Sequence, residues 1–141
     1  MIEMLHRALV ARFFSDAELS RTGRTLLAGL GGEPKKTTLP CVSYDIESGE
    51  PRDTFSHDIE AFHVEFVAMT KSENPGPCRI LMDHIMRVYD EAVLPSEDLH
   101  TVAVQRKRLS GPTMRDGVYY GMVDYEIVVQ AVSRTPLLIG E

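Results

Sequence analysis

Tryptophan is absent from the 141 residues, and cysteine occurs only twice, as Cys41 and Cys78. The two cysteines are far apart and form no C-x-x-C pair, so neither a redox motif nor a disulfide framework is present. Free thiols of this kind are expected in or near a core. Long hydrophobic runs are missing too. The longest span only a few residues, against the ~20 needed to cross a bilayer. The first helical stretch is also broken by Glu3, His6, Arg7 and Arg12, so a soluble, unexported protein is expected. Positive charge is in deficit: 15 basic residues stand against 21 acidic ones, a net charge of -6. That is the wrong sign for a chain that must neutralise many phosphates, and nucleic acid is not expected as the primary ligand.

Catalytic signatures are likewise missing. No serine sits in a G-x-S-x-G elbow, and neither cysteine has a histidine at a recognisable catalytic spacing. Gly29, Gly31 and Gly32 form neither G-x-x-x-x-G-K nor G-x-G-x-x-G, and Lys35-Lys36 follow a proline where a phosphate-binding loop would lead into a helix. Asp83 and His84 are neighbours in a helical stretch and point about 100° apart, so they do not make an oriented acid-base pair. The best metal candidate is His63 with Glu65, two apart on a strand and therefore on one face, with His57 a third donor from the preceding loop. A solvated strand face explains the same residues without any ligand. The basic cluster Gln105-Arg106-Lys107-Arg108 has no interleaved aromatic to act as a stacking platform for bases, so a solvated or subunit-contact strand is the better reading. No cofactor is implied, and the chain is not expected to be an enzyme.

What is present is the patterning of one ordinary domain. With 43% hydrophobic and 26% charged residues the composition is globular, and a chain this long buries roughly 70% of its unfolded surface. Ile2, Leu5, Leu9 and Phe13 recur at helical spacing over residues 2 to 15. Asp16 to Arg21 reads as a polar turn, Thr25 to Leu30 as a short strand, and Glu33 to Pro40 as an exposed loop. Cys41 to Ile46 alternates as a strand. A loop from Glu47 to Asp58 follows, and then a strand to Thr70 that buries Phe62, Val64, Phe66 and Ala68. Asn74 and Pro75 open a second helix, with Cys78, Leu81, Ile85 and Val88 on its buried side, which ends before Pro95. Thr101 to Leu109, with Val102 and Val104 apolar, and Gly117 to Ser133 are two further strands. Ser110-Gly111-Pro112 and Asp116-Gly117 mark the connection between them. The expected fold is α+β: a single domain, residues 1–134, with an antiparallel or mixed sheet and two helices packed on one face, and a C-terminal tail, 135–141.

Several stretches carry a family likeness: the opening helix Met1-Ile2-Glu3-Met4-Leu5-His6-Arg7-Ala8-Leu9, the proline-led strand Leu39-Pro40-Cys41-Val42-Ser43-Tyr44, the turn Ser48-Gly49-Glu50-Pro51 and the strand Glu60 to Met69. The C-terminal hairpin adds Arg115-Asp116-Gly117-Val118-Tyr119-Tyr120 and Tyr125-Glu126-Ile127-Val128-Val129. In order and content these resemble the tail terminator, or tail completion, proteins of long-tailed bacteriophages, over about residues 1 to 132. The chain departs from that pattern at Gly31-Gly32, at Lys35-Lys36 and in its longer tail. The resemblance implies a subunit of a hexameric ring at the neck end of a virion tail. Such a ring stops polymerisation of the tail tube and offers a surface to the head-tail connector proteins, and the family brings no catalytic residues.

Such a ring would have the tail tube protein and its own copies as partners, with DNA only in transit and no membrane. DNA passing through the bore favours a neutral or acidic lining, which makes the loop with Glu47, Glu50, Asp53 and Asp58 the lumen candidate. Arg106, Lys107 and Arg108 are then the candidates for subunit or tube contact. Leu137, Leu138 and Ile139 follow Pro136 and would be wasted in water, so they dock on a neighbouring subunit or fold back on their own core. The alternatives from other classes are a monomeric protein-binding adaptor and a small metal-dependent hydrolase built on His57, His63 and Glu65.

Overall fold

The computed structural model describes residues 1–23, 25–28, 39–51 and 59–132. In chain order they form α1 (Ile2–Ser15), α2 (Ala17–Gly23), β1 (Thr25–Ala28), β2 (Cys41–Pro51), β3 (Ile59–Thr70), α3 (Gly76–Tyr89), β4 (Leu99–Arg115) and β5 (Val118–Ala131). The five strands make one sheet in the order β1-β2-β3-β5-β4. The β1-β2 pair is parallel and the rest are antiparallel. This is the expected α+β class with a mixed sheet.

One sheet face carries the core. Period-two alternation puts Val42 and Tyr44, Phe62 to Ala68 in steps of two, and Val123 to Val129 in steps of two on the same side, where Leu5, Leu9 and Phe13 of α1, Leu19 of α2, and Leu81, Ile85 and Tyr89 of α3 meet them. At the centre Phe66 stacks on Tyr89 with ring centroids 4.4 Å apart and meets Tyr125 edge-on at 5.9 Å. The Tyr89 hydroxyl donates to the Leu9 carbonyl at 2.7 Å and Arg12 Nε donates to the Val88 carbonyl at 3.0 Å, so α3 is pinned to α1 by polar groups as well as by packing. Cys41 and Cys78 are both buried free thiols, and burial pushes Cys41 up to about 11, which keeps it inert near neutral pH.

The structure departs from the sequence reading at five places. The stretch read as a polar turn after Asp16 is the helix α2, because Asp16 Oδ1 accepts the Leu19 N–H at 2.9 Å and so caps a helix rather than a turn. Ile2 lies on the exposed flank of α1, where Ala8 takes the buried place instead. Strand β2 runs through the first part of the expected loop to Pro51, with an irregularity between Glu47 and Glu50. Ser110-Gly111-Pro112 is a bulge and not a turn. Ser110 pairs with Met122 and Thr113 with Tyr120 on either side of it, and Gly111 adopts φ 90 where a Cβ would collide with the Tyr120 carbonyl. The hairpin itself is the two-residue turn Asp116-Gly117, with φ 55 and φ 81, which matches strand twist. Lastly, Val102 is 49% exposed and not part of the core, since the register shift between Thr101 and Ala103 makes it the extra residue of a bulge.

Candidate assembly surfaces

Strand β4 is the outer strand at one side of the sheet, and its sequence suits that place. It carries Arg106, Lys107, Arg108 and Arg115 and no acidic residue, so the rest of a chain whose net charge is -6 holds -10. Three register shifts, a proline and clustered basic side chains are the devices that stop an open strand from pairing indiscriminately. From Gln105 to Ser110 every residue is exposed. Leu109 and Met114 are 51% and 50% exposed. Each lies opposite a helix-side residue of β5, Val123 and Tyr119. The β4 edge therefore presents these apolar groups toward the helix side.

The basic cluster divides between the two sides. Arg106, opposite Tyr125, turns to the helix side, where it contacts Met86 Sδ and lies 3.8 Å from Asp90. Asp90 also accepts the Tyr125 hydroxyl at 2.6 Å. The shift between Arg106 and Arg108 sends the next two residues to the open face, the one away from the helices, where Lys107 Nζ reaches Glu126 at 3.9 Å and Arg108 lies opposite Asp124. A cavity of about 430 Å³ beside this stretch is lined by Asp90, Glu91, Val104, Gln105 and Arg106, without a nucleophile or a histidine.

The open face is acidic toward its other side. Register aligns Asp45, Glu65, Asp124 and Arg108 in one row across β2, β3, β5 and β4, and Glu47, His63, Glu126 and Gln105 in the next. Asp124 is 5% exposed and its Oδ1 has no hydrogen-bond partner. Its Oδ2 lies 3.7 Å from His63 Nε2. Desolvation, then the Asp124 charge and a hydrogen bond to Asp124, hold the Glu65 carboxyl above its usual range; Asp45 adds to this and His63 opposes it. Carboxylates crowded in this way repel one another and gain from a nearby cation.

The structure places the sequence candidates unequally. Arg106, Lys107 and Arg108 all lie on the outer strand β4, Arg106 toward the helix side and the other two toward the open face. Glu47 belongs to strand β2 and not to a loop: it is exposed, opposite His63. Glu50 also lies in β2, opposite Ala61. Asp53, Asp58, His57, Leu137, Leu138 and Ile139 lie outside the described residues. His63 and Glu65 do share a face, but among the described residues no group of three metal donors is assembled. Sequence reading missed Asp45, Glu65 and Asp124 as a set. Each occupies a polar position of an alternating strand, but only the register shows that the three adjoin.

No protein-family model and no curated relative matches the sequence. Solved structures do match. A chain from a structure described as the virion of a native gene transfer agent particle superposes with a TM-score of 0.74 at 12% identity, over 92% of this chain and 96% of that one. This chain has that fold. Identity so low carries the architecture alone.

Proposed function

We propose that this chain is a structural protein of a phage-like virion, a ring subunit at the neck end of the tail that ends tube polymerisation and meets the head connector. The observation that carries the reading is the fold shared with a gene transfer agent virion chain over nearly the whole of both molecules. The sequence pattern supplies independent support, since the opening helix, the proline-led β2 and the Asp116-Gly117 hairpin are the stretches that resemble tail terminators. The surfaces suit the role: a ring subunit needs two different contact patches, because head-to-tail contacts repeat around a closed rotation. The basic β4 edge and the acidic side of the open face are two such patches.

Electron microscopy of tails made with and without the protein tests the reading. Loss of a terminator gives over-long tubes. Headless tails of normal length would leave only the joining role, and unchanged particles would overturn the proposal.

A further inference from the structure

The open face of the sheet is electrically polarised from one side to the other. Asp45 and Glu47 stand on β2, with Glu65 beside them on β3, while Arg108 stands on β4, three strand positions from β2. At about 4.8 Å per strand, roughly 14 Å separates Asp45 from Arg108. That exceeds the screening length of about 10 Å at 0.1 M salt. Asp45 and Glu47 of one copy therefore lie beyond the direct reach of its own Arg108, which stands opposite Asp124. A second copy set alongside in the same orientation brings the base of one against the acid of the next.

Two further observations point the same way. Arg108 has no ion pair among the described residues, although its neighbours Arg106 and Lys107 do. Beside Arg108 and Arg115 the β4 edge exposes Leu109 and Met114, apolar surface of the kind found at the centre of protein contacts.

We propose that copies of this chain associate head to tail, with the β4 edge of each, led by Arg108 and Arg115, seated against the Asp45, Glu47 and Glu65 side of the next. This deepens the ring reading, on which it rests, by naming the contact that closes the ring. The contact is heterologous, so it repeats from copy to copy until the rotation closes and both surfaces of every copy are engaged.

Two charge-reversed proteins test it. One carries Arg108→Glu with Arg115→Glu, and the other Asp45→Lys with Glu47→Lys. Each alone opposes like charges across the contact, and its self-association should weaken at least about a hundredfold. Mixed in equal amounts, the two should form rings again, because the acidic edge of the first fits the basic face of the second and the reverse. A sixfold ring accommodates strict alternation, so native mass spectrometry of the mixture, free or on tail tubes, should show three copies of each. Rings from either variant alone, or none from the mixture, overturn the contact while leaving the ring reading intact. Absence of rings from the unaltered chain, both free and on tubes, overturns the ring reading itself. Should a double reversal fail to fold, Arg108→Cys and Glu47→Cys chains, mixed in assembled tails and treated with a short bis-maleimide, should cross-link to each other. No cross-link in intact particles also sinks the contact.

Discussion

Arg87 grips Asp16 with both arms of its guanidinium, Nη1 donating to Oδ2 at 2.7 Å and Nη2 to Oδ1 at 3.1 Å. The same Asp16 caps α2 through the Leu19 N–H, so one carboxylate fixes where α1 ends, where α2 begins and how both meet α3. The Arg87 hydrogen bond, then the cap, hold Asp16 down to about 2 from 3.8.

Asp16→Ala removes the cap and the fork together. Arg87 is half exposed, which discounts the ion pair, so the cap dominates and the loss should be about 1–2 kcal/mol. The melting temperature at pH 7 should fall by about 3–8 °C. The folded pKa is depressed, so this stability is present above 3.8 and is lost as pH falls toward about 2. Variant and parent should therefore converge in acid, and equal melting temperatures at pH 7 would contradict the assignment.

Phe66 is fully buried among Tyr44, Tyr89 and Tyr125. Phe66→Asp places an unpaired charge there and removes the central ring, at a cost of roughly 3–5 kcal/mol or more against a typical total of 5–15. The variant should be unfolded or insoluble by circular dichroism. A soluble protein with an unchanged melt would refute the position of β3 against α3.

At Gly121 the Met82 side chain of α3 packs directly onto the backbone of β5. A Cβ there would enter the space of Met82, a buried side chain that cannot simply swing into solvent. Gly121→Ala should cost about 1–3 kcal/mol by overpacking. Combining it with Met82→Ala should recover part of that loss, and chemical denaturation of the four proteins gives the coupling directly. Additive losses would place Met82 away from Gly121.

Much of this fold was legible because its signals are local. The three-four spacing in α1 and α3 and the alternation Phe62 to Ala68 depend only on neighbours in sequence. What escaped depended on partners elsewhere. Asp16 reads as a turn former until Arg87 on α3 is seen to hold it. The β4 bulges displace Val102 and send Lys107 and Arg108 to one side, which simple alternation along a strand cannot express. Arg106 to Arg108 stood out in the sequence by their charge, but their division between the two faces did not. The acidic row was not legible, because Asp45, Glu65 and Asp124 come from three strands and adjoin only through register.

Glu65 separates the fold from its assembly. Its folded pKa is raised above 4.5, first by burial and then by Asp124, so the ionised form disfavours the native state. As pH rises from 4.5 through the folded pKa, the unfolded chain holds fewer protons than the native one at this site, and stability falls. Glu65→Gln removes the charge and keeps the shape. It should melt higher than the parent at pH 7, with the advantage shrinking below pH 4.5. A lower melting temperature at pH 7 would show that the carboxylate is satisfied within the chain. The same change takes away one of the three carboxylates offered to the neighbouring β4 edge, so the more stable monomer should assemble less well. Measured side by side, a higher melt with undiminished ring formation would leave Glu65 outside the contact and confine it to Asp45 and Glu47.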